Sequence, residues 1–178
     1  MNNNDVHNDH LIVPTTQKHV TLWVHPEGRV LGYMYLRKHS SMHAGAELPL
    51  EALNRPQPFI VFKRESPPEL RFYNRKAIIR VEYPGVDKQK TRAIRPLPCV
   101  LQIMDGALIE GTIEEPLHPD RARLLDYLNN PDDSFIKLHI DGDTTLVNKA
   151  YIIHVHVDIL EDFDEDLEED SDENSEQS

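Results

Sequence analysis

The chain is nearly without cysteine. Cys99 is the single one in 178 residues, so no internal disulfide can form, and its place between Pro98 and Val100 reads as a buried strand position. Glycine is also scarce. None of the seven sits in a Gly-x-Ser-x-Gly elbow or a phosphate-cradling loop, which removes the usual signals of nucleophilic and nucleotide chemistry. No apolar run approaches the ~20 residues of a membrane-spanning helix. The start, Met1-Asn2-Asn3-Asn4-Asp5-Val6-His7, lacks the basic-then-apolar profile of a signal peptide. These absences together set the expectation of a non-enzymatic, soluble cytoplasmic protein with no cofactor and no membrane partner.

Basic residues are missing from one place in particular. From Asp158 to Ser178 there are twelve acids and no Lys or Arg. Taking those twelve from the total of 31 leaves nineteen acids against nineteen bases, so the formal net charge of −12 belongs to this tail. Between Arg55 and Arg95 the balance reverses, with eleven bases against four acids. An acidic tail of this kind solvates the chain, and it can also occupy a basic segment and exclude weak polyanions.

What the sequence does contain is a repeat. Phe72-Tyr73-Asn74-Arg75-Lys76-Ala77-Ile78-Ile79-Arg80-Val81 and Leu146-Val147-Asn148-Lys149-Ala150-Tyr151-Ile152-Ile153-His154-Val155 share an apolar pair, an Asn, a basic residue, two isoleucines and a closing valine. Further blocks align in the same order, Leu53-Asn54-Arg55-Pro56 with Leu128-Asn129-Asn130-Pro131 and Phe59-Ile60 with Phe135-Ile136. Around them, Val20, Leu22 and Val24 alternate as a strand, turn at Pro26-Glu27-Gly28 and return through Val30–Leu36. In the second copy Asp105-Gly106 makes the equivalent hairpin turn. Leu48–Asn54 reads as one helical turn, and Asp120 as the cap of a helix over residues 121–128 with Leu124, Leu125 and Leu128 inward. Asp141-Gly142-Asp143 is a hairpin turn and not a calcium loop, because its ligand series stops there.

The pattern predicts an all-β fold of two tandem small β-barrels with short helical insertions. Its segments are a flexible leader (1–18), a first barrel (19–83), a basic Pro-containing linker (84–98), a second barrel (99–157) and a disordered acidic tail (158–178). The glycine-bent strand Asp105-Gly106-Ala107-Leu108-Ile109-Glu110-Gly111 and the late Val147–Val155 strand resemble the Sm-like small barrels, including uncharacterised bacterial families with such barrels in tandem and the bacterial RNA chaperone of that fold. In that chaperone a Lys-His pair ahead of the late isoleucine contacts RNA. Lys149 matches the lysine, Ala150 stands at the histidine, and Arg75 and Lys76 occupy the pair in the first copy.

The resemblance therefore implies that a nucleic-acid role, if present, falls on Arg75, Lys76 and Lys149. Phe59, Phe62, Phe72 and Tyr73, interleaved with the bases, would be stacking platforms; in the plainer reading Phe59, Phe62 and Phe72 fill the barrel and the charges are a solvated face. Asn74 and Asn148 read as turn residues that bond the backbone through their side chains. A metal would fall to His154, His156 and Asp158, which alternate on one strand face, although outward polar residues explain that spacing equally well. The function expected is a protein-binding or adaptor module with an unidentified protein partner and scope for oligomerisation; the alternative is an RNA-binding protein with an autoinhibitory tail.

Overall fold

The computed structural model describes residues 14–87, 96–114 and 124–157. The first hairpin joins β1 (Thr15–Val24) to β2 (Gly28–Arg37) in unbroken register. Val20, Leu22 and Val24 are buried on the core face while their neighbours stay partly exposed, as the period of two requires. The short helix α1 (Pro49–Leu53) starts where Glu51 accepts the Leu48 N–H and Pro49 removes a donor that would have no partner. Its Ala52 and Leu53 are buried.

Three strands complete this half: β3 (Phe59–Arg64), β4 (Glu69–Asn74) and β5 (Ile78–Tyr83). The second half runs β6 (Leu97–Ile103), β7 (Leu108–Ile113), helix α2 (Leu124–Asn129), β8 (Phe135–Ile140), β9 (Asp143–Asn148) and β10 (Ile152–His156). The fold is mainly β, and no helix among the described residues is long and apolar enough to cross a membrane.

The ten strands of the described residues form one antiparallel sheet in the order β10-β6-β7-β8-β9-β5-β1-β2-β3-β4. Each half contributes five consecutive strands in the same internal order, and the ladders agree residue by residue. Val20 faces Gly32 as Cys99 faces Gly111; Tyr33 faces Lys63 as Thr112 faces His139; Ile60 faces Tyr73 as Ile136 faces Val147. The bulge of β5 against β1, which skips Ile79, recurs in β10 against β6, which skips Ile153. This is the tandem repeat read from sequence, now defined by register.

Three expectations are corrected. Two closed barrels do not form: the sheet is open, and β5 pairs on one side with β1 and on the other with β9 of the second half. Each repeated motif is not one strand but two, separated by a one-turn 3-10 corner at Arg75–Ala77 or Lys149–Tyr151, which re-aims the chain from one ladder to another. Finally, Leu125 of α2 points to solvent rather than inward. β1 begins at Thr15 and β6 at Leu97, inside the segments expected as leader and linker. Asp120, residues 88–95 and the acidic tail lie outside the described residues.

The halves share their interiors. The core of the first half takes in Phe135 and Leu146 from the second, and the core of the second takes in Ile79 and packs against Trp23. Asn148 is buried at this junction and donates to the carbonyls of Ile78 (2.9 Å) and Arg75 (3.4 Å), while Asn54 reaches across to bond both N–H and C=O of Phe135. The two units are therefore one folded body joined along β5 and β9.

Candidate functional site

The residues that sequence singles out sit at the two 3-10 corners. Asn74 Oδ1 accepts the Lys76 N–H at 2.9 Å, and Asn148 Oδ1 accepts the Ala150 N–H at 3.0 Å. Each is the N-cap of its corner. The basic residue that follows points inward. Arg75 donates through its guanidinium to the Leu53 carbonyl at the end of α1, and Lys149 Nζ donates to the Asn130 carbonyl after α2. Burial lowers the pKa of both groups, with Asp133 opposing the shift at Lys149. These two cations thus tie helix ends to strand corners, and of the three residues proposed for RNA only Lys76 is exposed. Arg75→Ala should lower stability in urea unfolding by about 1.5–3 kcal/mol, the range for a hydrogen bond to a charged group; an unchanged midpoint would show that the Leu53 contact is idle.

Four other bases of this stretch are paired. Arg64 and Arg71 share Glu27 and Glu69, Arg55 meets Glu47, and Arg80 meets Glu82 and Asp105. The Arg71 hydrogen bond, with help from Arg64, holds the Glu69 carboxyl below its ordinary value. Among the described bases of this stretch, Lys63 and Lys76 carry no ion pair. The aromatic residues divide: Phe62 is core and Tyr73 is buried with its hydroxyl on Glu27 and Arg71, whereas Phe59 and Phe72, expected as barrel filling, are exposed.

A cleft of about 580 Å³ opens where β7 and β8 are paired only through Thr112 and His139; Cys99, Glu110, His139, Asp141 and His156 line it. Among the described residues no group of three His, Cys, Asp or Glu side chains could hold a metal ion. His154 and His156 are both exposed on β10, and Asp158 lies outside the described residues. Burial pushes the Cys99 thiol up to about 11, which keeps it protonated and unreactive at neutral pH.

The feature that sequence reasoning did not find is at the ends of the sheet. Among the described residues β4 pairs only with β3, and β10 only with β6, so within them each presents an unpaired backbone edge. Phe72 and Leu70 of β4 and Phe59 of β3 are exposed at one end, and Ile153 of β10 at the other. An edge strand with apolar side chains is a template for another strand, and folded proteins blunt such edges unless they are used. Compared with protein family models, curated proteins and solved structures, the chain matches none.

Proposed function

We propose that this protein is a non-enzymatic protein-binding module whose β4 edge takes up an extended segment of its partner by adding a strand to the sheet. The observation that carries the reading is β4 itself: a six-residue strand with no second strand partner among the described residues, with Phe72 and Leu70 standing out from one face. Main-chain hydrogen bonds would supply affinity, and the exposed apolar side chains would select alternate residues of the incoming strand. The ion pairing of Arg55, Arg64, Arg71 and Arg80 favours a protein over RNA, since phosphate contacts draw on unneutralised cations. The repeated corner motif and the bent glycine strands Gly32 and Gly111 support the Sm-like resemblance of each half.

The test needs no known partner. Random peptides displayed on phage are selected on the immobilised full chain and then rebound to Phe72→Asp. Enrichment of alternating apolar sequences that lose at least tenfold in affinity on the variant is the expected result. No enrichment, or peptides that bind both chains equally, overturns the reading.

A further inference from the structure

The two halves hold equivalent residues in the same register, so a side chain missing from one half can be identified from the other. The cleft between β7 and β8 is such a place. Aligned through the pairs Cys99–Gly111 and Thr112–His139, its lining residues Pro98, Thr112, Asp141 and Val157 stand where the first half has His19, Tyr33, Glu65 and Tyr83. In the first half these groups pack on one another. His19 Nε2 lies 2.9 Å from one carboxylate oxygen of Glu65, its ring meets that of Tyr33 with centroids 5.1 Å apart, and Lys18 Nζ sits 4.8 Å over the Tyr83 ring. In the second half those three rings are gone. The smaller side chains leave about 580 Å³ open, within the range of about 300–1,000 Å³ typical of small-molecule sites.

The charge left behind says what the space would take. Glu65 has His19, but among the described residues the Asp141 carboxylate has no partner, and neither has Glu110, which stands in the place of Leu31. In the first half the Glu65 N–H closes this end of the ladder on the Leu31 carbonyl at 3.0 Å. In the second half the strands pair only at Thr112 and His139, and where the closing bond would form, the same register sets Glu110 opposite Asp141. Like charges directly opposite on neighbouring strands are destabilising, and a cation between them removes that cost. No Lys or Arg is among the described residues that line the cleft. His139 adds a hydrogen-bonding group, since its Nδ1 is closed to solvent without a partner and Nε2 is left to meet a ligand. We propose that the cleft binds a small aromatic amine, its ring lying where the first half packs His19 and Tyr33 and its ammonium between Asp141 and Glu110.

The acidic tail has the wrong sign for this place. It follows Val157 in sequence and carries twelve acids and no Lys or Arg, so Glu110 and Asp141 repel it. A bare amine satisfies the carboxylates and leaves the space of the missing rings unfilled. A neutral ring fills the space and leaves the carboxylates facing each other. A molecule that joins ring and cation does both. The site stands apart from the β4 edge, because the cleft lies among β6, β7, β8 and β10 at one end of the sheet and β4 is at the other.

The probe is tyramine, titrated at neutral pH into the full chain and followed by backbone amide chemical shifts. Saturable shifts confined to β6, β7, β8 and β10 are the expected result. Ethylphenol, which keeps the ring without the cation, and butylamine, which keeps the cation without the ring, should each bind at least about tenfold more weakly. Glu110→Gln combined with Asp141→Asn should weaken tyramine binding by about tenfold or more. Asn tolerates the positive φ of residue 141, so the turn is kept. Pro98→His combined with Thr112→Tyr rebuilds the packing of the first half and should abolish the shifts. All four positions are at least partly exposed, so each variant should keep the wild-type unfolding midpoint in urea; a filled variant that does not is replaced by Thr112→Tyr alone. Absence of a saturable shift with tyramine overturns the inference, as do shifts that fall elsewhere or equal binding of ethylphenol or butylamine. Binding that survives the filled variant with its fold intact, or that ignores the loss of both carboxylates, overturns it as well.

Discussion

Gly32→Ala is expected to damage the fold severely, while Gly111→Ala, the same substitution at the equivalent position, is expected to be tolerated. A Cβ on Gly32 would stand 2.2 Å from the Lys63 carbonyl oxygen and 2.7 Å from the Phe62 ring. The first is backbone of the neighbouring strand, and the second is a fully buried aromatic ring of the first core, so neither can yield without opening the β2–β3 ladder. On Gly111 the nearest atoms are 3.0 to 3.2 Å away, and two of the three belong to Ile140 and Leu138 side chains that can shift by a few tenths of an ångström. Overpacking of the first kind costs about 3 kcal/mol or more, and the second about 1 kcal/mol. Urea unfolding of both variants measures the difference. Equal midpoints would mean that β2 and β3 slide apart as readily as β7 and β8 do.

That asymmetry marks how far the sequence could be read. Gly111 was visible as the bend of its strand, and the hairpins at Pro26-Glu27-Gly28, Asp105-Gly106 and Asp141-Gly142 were visible because turn chemistry is local: Gly28, Gly106 and Gly142 all adopt positive φ. The repeat itself was legible in the aligned blocks. The joining of the halves was not. Pairing of β5 with β9 connects residues more than sixty positions apart, and the alternation of a strand fixes which residues share a face without saying whether that face is covered. Phe59 and Phe72 looked like core for this reason. The 3-10 corners were hidden inside an apolar run that reads equally well as one long strand, and only the Asn at each N-cap hinted at the break. At the candidate site, Asn74 and Asn148 could be assigned to turns from side-chain chemistry alone. That Arg75 and Lys149 face helix ends could not, because Leu53 and Asn130 are distant in sequence.

Arg80 is the residue whose loss should be felt most across the junction. It lies on β5, buried, with its guanidinium centred 4.0 Å above the Trp23 ring of β1. Its Nε donates to Glu82 at 2.8 Å, and another nitrogen donates at 2.6 Å to Asp105 in the β6–β7 turn of the other half. Asp105 uses its second oxygen to accept the Ala107 N–H, so one carboxylate serves both the hairpin turn and the contact between halves. Removing the guanidinium uncovers the face of Trp23 and leaves a partly buried Asp105 without its cation. Loss of one partner from such a pair typically costs 3–5 kcal/mol, and exposure of Glu82 places this site at about 3 kcal/mol. Arg80→Lys should recover less than half, because an ammonium cannot stack on the indole while donating to two carboxylates. Salt separates this from a surface effect: a pair this well covered is weakly screened, so the destabilisation of Arg80→Ala should persist when unfolding is repeated in high salt. A loss below about 1 kcal/mol, or one that vanishes with salt, would place Arg80 among ordinary surface ion pairs and would leave the apolar contacts of Phe135, Leu146 and Ile79 to hold the two halves together.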